Sequence, residues 1–206
     1  MDLRVDNIAC ARGGRVLFSG LSFGLAAGEL LALTGANGAG KTSLLRLIAG
    51  LAEPDAGTIE LDGRHQDLTT GQHSHLVAHR EAIKLTLTVR ENLAFWSDYL
   101  GGGDIDSALA SFDLGGLADY PAQLLSAGQR RRLALSRLCL VKRVLWLLDE
   151  PTTGLDARSQ EALAGAIGAH LAEGGLAIAA THGAIGLEPQ RALHRAGLRL
   201  LRVDEG

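Results

Sequence analysis

The stretch Gly35-Ala36-Asn37-Gly38-Ala39-Gly40-Lys41-Thr42 puts a lysine and a hydroxyl directly after a glycine-rich turn, in the spacing G-x-x-x-x-G-K-[ST]. The chemistry open to that pattern is phosphate binding. Glycines let backbone N–H groups close around phosphate oxygens, and a helix starting there adds the positive end of its dipole. Lys41 would reach the β- and γ-phosphates of a nucleotide, and the Thr42 hydroxyl would bind Mg²⁺. Ser43, next along, is counted with residues 35–42 among the nucleotide contacts. A glycine-rich turn ahead of an ordinary helix is the alternative. The flanks disfavour it: Leu30-Leu31-Ala32-Leu33-Thr34 reads as a buried strand, and Ser43 to Ala49 as a helix stopped by Gly50.

A second element carries acids. Val144-Leu145-Trp146-Leu147-Leu148 is a continuous apolar run that ends in Asp149-Glu150-Pro151. Asp149 would complete the Mg²⁺ shell with Thr42, and Glu150 is placed to polarise an attacking water as general base. His182 follows another apolar run, Leu176 to Ala180, at a position suited to sensing a γ-phosphate. The catalytic candidates are therefore Glu150 and His182, the metal candidates Thr42 and Asp149, and the implied cofactors ATP and Mg²⁺.

A third stretch, Leu125-Ser126-Ala127-Gly128-Gln129, precedes a helix. Ser126 can cap it, and Gly128 lets backbone N–H groups come close to an anion. Ser126, Gly128 and Gln129 would thus form a second phosphate-binding helix start. One nucleotide cannot use both starts within a single subunit unless they are adjacent. The economical arrangement is a head-to-tail dimer, in which each copy lends its second element to the other's ATP. Salt bridging and solvation are expected to account for Arg130, Arg131 and Arg132. Asp156 would face the dimer partner from a turn.

These residues need strands and helices to hold them. Residues 3–9 and 15–25 read as strands joined at Gly13-Gly14, and 58–61 as another. Residues 64–75, with His65, His73 and His75, read as a solvated loop, and Leu76-Val77-Ala78 as a strand. Thr88 with Glu91 three residues on predicts a capped helix, Asp104 or Asp106 the start of the next, and Ser126 to Leu140 a further one. Residues 88–140 would be a mostly helical insertion. The runs at 144–148 and 176–180 suit central parallel strands covered on both faces, with a helix from Ala157 to Ala172 between them. A single edge strand is expected at 198–203, its arginines solvated. The fold class is α/β: a mostly parallel sheet with an N-terminal antiparallel β subdomain and a helical insertion.

Composition bounds the function. The chain has 206 residues, 47% of them hydrophobic, and a net charge of −3. There is no basic field to attract nucleic acid, and no nucleic-acid partner is expected. Cys10 and Cys139 fit no metal or redox spacing and read as reduced thiols. The charged N-terminus does not look like a signal peptide. The best candidate for a membrane span, Leu133 to Leu148, is interrupted by Arg137, Lys142 and Arg143. A role at a membrane would have to come through a partner.

With GANGAGKT at 35–42, LSAGQ at 125–129, VLWLLDE at 144–150, GLD at 154–156 and TH at 181–182, the chain resembles the ABC transporter ATPase family over essentially its whole length. The resemblance implies a P-loop NTPase of RecA-like type, forming one domain over 1–206. Within it, about 1–87 and 141–206 would be the catalytic core with the β subdomain, and 88–140 the helical signature subdomain. Stretches such as CARGGRVLFSGLSF at 10–23 and LSAGQRRR at 125–132 are similar to the ATP-binding subunits of cytochrome c maturation, or haem exporter, systems. That likeness implies a peripheral ATPase at the cytoplasmic face of the inner membrane. Its partners would be a second copy of itself and integral membrane subunits resembling CcmB and CcmC. It would drive haem export or release of the haem chaperone. The alternatives are the ATPase of another small-molecule exporter, or a soluble ABC ATPase with no membrane partner. The sequence departs from the family in two places. Arg80 stands where a glutamine is usual, and Arg12 where an adenine-stacking aromatic is expected.

Overall fold

The computed structural model describes residues 1–62 and 69–187, together with the backbone of two strands at 191–195 and 199–202. β1 (Leu3–Arg12) and β2 (Arg15–Leu25) form an antiparallel hairpin. Its turn needs left-handed backbone at both central residues, and Gly13 and Gly14 supply it at φ of 56° and 76°. β1 also pairs antiparallel with β4 (Ala56–Leu61), giving a three-stranded sheet in the order β2-β1-β4.

The main sheet has six strands in the order β5-β6-β7-β3-β8-β9. They are β3 (Leu30–Gly35), β5 (Ser74–Val77), β6 (Leu145–Asp149), β7 (Leu176–Ala180), β8 (Arg191–Arg195) and β9 (Arg199–Arg202). All neighbours are parallel except β9, which runs back along β8. β6 and β7 are buried at every position. Their apolar runs divide by alternation between two cores. Leu145, Leu147, Leu176 and Ile178 pack with the antiparallel sheet and α1 (Lys41–Ile48). Trp146, Leu148, Ala177 and Ala179 pack with the helical half of the chain. Leu147 has no exposed surface, so Leu147→Ala would cost about 2–5 kcal/mol through lost transfer energy and a cavity.

The helical half holds α2 (Val89–Leu100), α3 (Ile105–Ser111), α4 (Ala127–Ser136) and α5 (Ala157–Ala172). Thr88 and Glu91 form the expected capping box, with reciprocal bonds of 2.7 and 3.1 Å. Of the two aspartates offered for α3, Asp104 is the cap. α4 is shorter than expected, tightening into a 3₁₀ turn over Arg137–Cys139.

Three expectations need correction. β5 begins at Ser74, and His73 and His75 are buried, not solvated; the His75 ring bonds the Val141 carbonyl at 2.7 Å. The tail contributes two strands where one was expected, β8 pairing by backbone with the open edge of β3. Arg131 is buried, whereas salt bridging and solvation were expected for Arg130, Arg131 and Arg132. His65 and the side chains of the tail arginines lie outside the described residues.

Candidate nucleotide-binding site

Parallel strands all point their C-terminal ends to one edge of the sheet, and ligands of open α/β sheets bind there. β3 delivers residues 35–40 to this edge, and α1 starts directly after them. The cap of α1 is Gly40 at φ 96°, and no side chain caps the helix. Its first amides therefore face the turn free of side-chain competition, which suits an anion. β6 and β7 run parallel in register, Asp149 opposite Ala180. That register brings Asp149, Glu150 and His182 beside the same turn.

The side chains meet there. The Thr42 hydroxyl donates to Asp149 Oδ2 at 2.9 Å across 107 residues of chain. Lys41 Nζ donates to the Gly35 carbonyl at 2.6 Å and lies 3.0 Å from His182 Nε2. The same ring nitrogen is 2.8 Å from Asn37 Oδ1 and 3.5 Å from Glu150 Oε1. In one tautomer Nε2 donates to Asn37; in the other it accepts from Lys41. A cleft of about 350 Å³ opens over these groups, lined by residues 36–43, Arg12, Leu17, His79, Asp149 and Glu150. Arg12 and Leu17, from the β1–β2 hairpin, wall its outer side.

Glu150 is held in an unusual conformation. Its φ is +48°, a left-handed geometry that costs a residue with a Cβ about 1–2 kcal/mol. Two hydrogen bonds fix it. Its N–H donates to the Ala180 carbonyl at 2.8 Å, and its own carbonyl accepts from Arg131 Nη2 at 2.7 Å. Arg131 is 4% exposed and also donates to the carbonyls of Asp149 and Ala78, each at 3.1 Å. Burial pulls its pKa below the usual arginine value, with Glu81, Asp149 and Glu150 opposing. Sequence reasoning missed this residue. The available signal was position: Arg131 shares a helical face with the buried Leu135 and Leu138.

Not every expected residue is gathered here. Ser126, Gly128 and Gln129 do not line this cleft. Ser126 is exposed at the start of α4, where it and Gln129 cap each other at 3.2 and 2.8 Å. A Cβ at Gly128 would stand 3.3 Å from the Gly154 carbonyl, so the glycine has a packing role within the chain. Asp156 caps α5, accepting from Ser159 N at 2.8 Å. Arg80 is exposed and outside the cleft, while His79 lines it.

A sequence profile of ABC transporters matches residues 18–153. The chain belongs to the ABC transporter family. Among the relatives of this ABC ATPase is the cytochrome c biogenesis ATP-binding export protein CcmA of Rhodopseudomonas palustris strain BisB5. It is 54% identical over 87% of this chain and 91% of its own. The protein of the same name from Rhizobium etli is 43% identical over 100% and 99%. The ABC ATPase is of the CcmA type. Two solved structures share its fold. One, the ATP-binding subunit of an ABC transporter, has TM-score 0.86 at 22% identity, covering 99% of this chain and 91% of that one. The other, a dimeric ATP-binding cassette in a post-hydrolysis state bound to ADP and Pi, has TM-score 0.83 at 19% identity, covering 99% and 100%.

Proposed function

We propose that the chain is the ATP-hydrolysing subunit of an ABC-type membrane complex in cytochrome c biogenesis. It would couple ATP binding and hydrolysis to haem export or to release of the haem chaperone. The observation that carries this reading is the convergence of Lys41, Thr42, Asp149, Glu150 and His182 on one cleft, in a chain whose full-length relatives bear the name of a cytochrome c biogenesis export protein.

In this reading residues 35–43 wrap the triphosphate with backbone N–H groups, and the Lys41 ammonium holds the β- and γ-phosphates. The Arg12 guanidinium stacks on the base. Glu150 accepts the proton of the water that attacks the γ-phosphorus as the bond to ADP breaks, and His182 hydrogen-bonds the γ-phosphate. The Thr42 hydroxyl and the Asp149 carboxylate, 2.9 Å apart, are paired hard oxygen donors and fit Mg²⁺. The ion supplies neutralisation of charge on the β- and γ-phosphates. Arg131 keeps the Glu150 backbone in place and is a positioning residue.

Ser126, Gly128 and Gln129 lie outside the cleft of their own subunit. They serve the ATP of a second copy, in a head-to-tail dimer that encloses two nucleotides. The chain is one domain, with 88–140 as a helical signature subdomain and 1–87 plus 141–206 as the core. No helix among the described residues is long and apolar enough to cross a membrane. Attachment is peripheral, at the cytoplasmic face, through integral subunits resembling CcmB and CcmC that touch the segment at 80–100.

The test is to purify the complex with its membrane subunits and assay Glu150→Gln. Turnover should fall by about 10²–10⁴ with ATP still bound, and cytochrome c maturation in the cell should stop. Normal hydrolysis by this variant would refute the base assignment. Intact maturation in cells lacking the protein would refute the pathway.

A further inference from the structure

A water that attacks phosphorus must point a lone pair at it. One fixed acceptor holds one hydrogen of that water and leaves it free to turn about the bond. Two fixed acceptors orient it. Glu150 supplies one. Most other polar side chains in the wall of the cleft are already committed. Asn37 Oδ1 is 2.8 Å from His182 Nε2, and Thr42 and Asp149 bond each other at 2.9 Å. Lys41 and Arg12 carry donors only. Ser43 belongs to the first turn of α1, among the phosphate contacts. His79 remains. It lines the cleft, is exposed, and its ring makes no hydrogen bond to any described residue.

The backbone places His79 beside Glu150. β5 and β6 run parallel with Val77 opposite Leu148, and two residues further along each chain stand His79 and Glu150. With the strand order β5-β6-β7, Glu150 has His79 on one flank and His182 on the other. A single buried cation fixes both neighbours. Arg131 donates to the Ala78 carbonyl, in the peptide that leads into His79, at 3.1 Å. The same guanidinium donates to the carbonyls of the two peptides that flank the Glu150 Cα, at 3.1 and 2.7 Å. Beyond His79 the chain is anchored again. Glu81 lies 3.8 Å from Arg130 on α4, and the Asn92 side chain on α2 accepts from Lys84 N at 2.8 Å and donates to the Lys84 carbonyl at 3.0 Å. The His79 ring therefore stands on backbone held relative to the general base, with its own nitrogens uncommitted.

We propose that His79 is a further catalytic residue, which orients the attacking water by accepting one of its hydrogens while Glu150 takes the other. This rests on the reading of the cleft as an ATP-hydrolysing site. The water oxygen bonds to the γ-phosphorus as the bond from phosphorus to the ADP oxygen breaks. One water proton passes to Glu150, and the second stays on the phosphate released. His79 gains no proton; its neutral ring offers a nitrogen lone pair and nothing more.

The experiment compares His79→Leu, His79→Gln and His79→Ala in the complex with its membrane subunits. His79→Leu fills similar space without an acceptor. Its kcat should fall about 10- to 100-fold, with the KM for ATP and the affinity for ADP little changed. The glutamine variant offers an acceptor oxygen and should recover most of that loss. Turnover by the alanine variant should rise when imidazole is added to the solution, and turnover by the leucine variant should not. Each variant should melt within a few degrees of the parent, because the side chain is exposed. An unchanged kcat in His79→Leu overturns the proposal. So does an equal loss in the leucine and glutamine variants with no response to imidazole, or a change confined to KM. Should His79→Leu fail to fold, the imidazole response of His79→Ala decides the matter. A parent complex that hydrolyses no ATP would instead refute the reading of the cleft, and this inference with it.

Discussion

The chain contains two helix starts suited to phosphate, and they are built in opposite ways. α1 begins at a left-handed glycine with no side chain on its first amides. α4 begins at Ser126, whose capping box with Gln129 already satisfies both backbone donors. An uncapped start gains hydrogen bonds when an anion arrives; a capped start must share or exchange those it has. The first is surrounded by Lys41, Asp149, Glu150 and His182, while the second presents an exposed serine. The difference implies an order of events. In the proposed dimer, nucleotide would bind first at residues 35–43 of one copy, and the Ser126 helix of another copy would close on it afterwards.

The largest break in this comparison should come from Lys41→Ala. Removing the charge from the strong half-site should weaken ATP binding by about 10²–10³-fold, read by fluorescent-nucleotide titration; unchanged affinity would contradict the assignment. Arg131→Lys acts between the two halves, since Arg131 ties α4 to the carbonyls of Asp149, Glu150 and Ala78. It should lower kcat about tenfold with the KM for ATP little changed. An equal rise in KM would place its effect on binding instead. Ser126→Ala should destabilise the fold by about 1 kcal/mol through the lost cap and leave the ATP affinity of the monomer unchanged. A large affinity loss would mean that Ser126 serves its own cleft. Arg80→Gln should have the smallest effect, with turnover within about twofold of the parent, because a substitution at an exposed site away from the cleft is usually mild.

Much of this contrast could be read from the sequence. Residues 35–42, the acids closing β6, and the Ser126 and Thr88 caps depend on short-range chemistry that a string of residues displays. β7 and α5 fall where apolar runs and helical spacing put them. What could not be read depends on tertiary neighbours. β8 lacks a continuous apolar run and is a strand because the free edge of β3 offers its backbone partners. His73 and His75 look soluble by residue type, yet burial at the β5 edge claims them. Counting from the strand end marks Arg80 as the residue in place of glutamine, but in the bend after β5 Arg80 is exposed and does not line the cleft. It is His79 that lines the cleft. Arg131 was misjudged because an arginine is usually solvated, and only the folded chain shows three carbonyls converging on it.

The most direct measurement mixes two variants that are each inactive alone, Lys41→Ala and Ser126→Arg, and assays ATP hydrolysis. When the two half-sites of one ATP come from different copies, a mixed dimer holds one intact pair: Lys41 from the second variant and Ser126 from the first. Activity should then reappear on mixing. Activity that stays absent in a demonstrated mixed dimer would place both half-sites in the same chain and contradict the account.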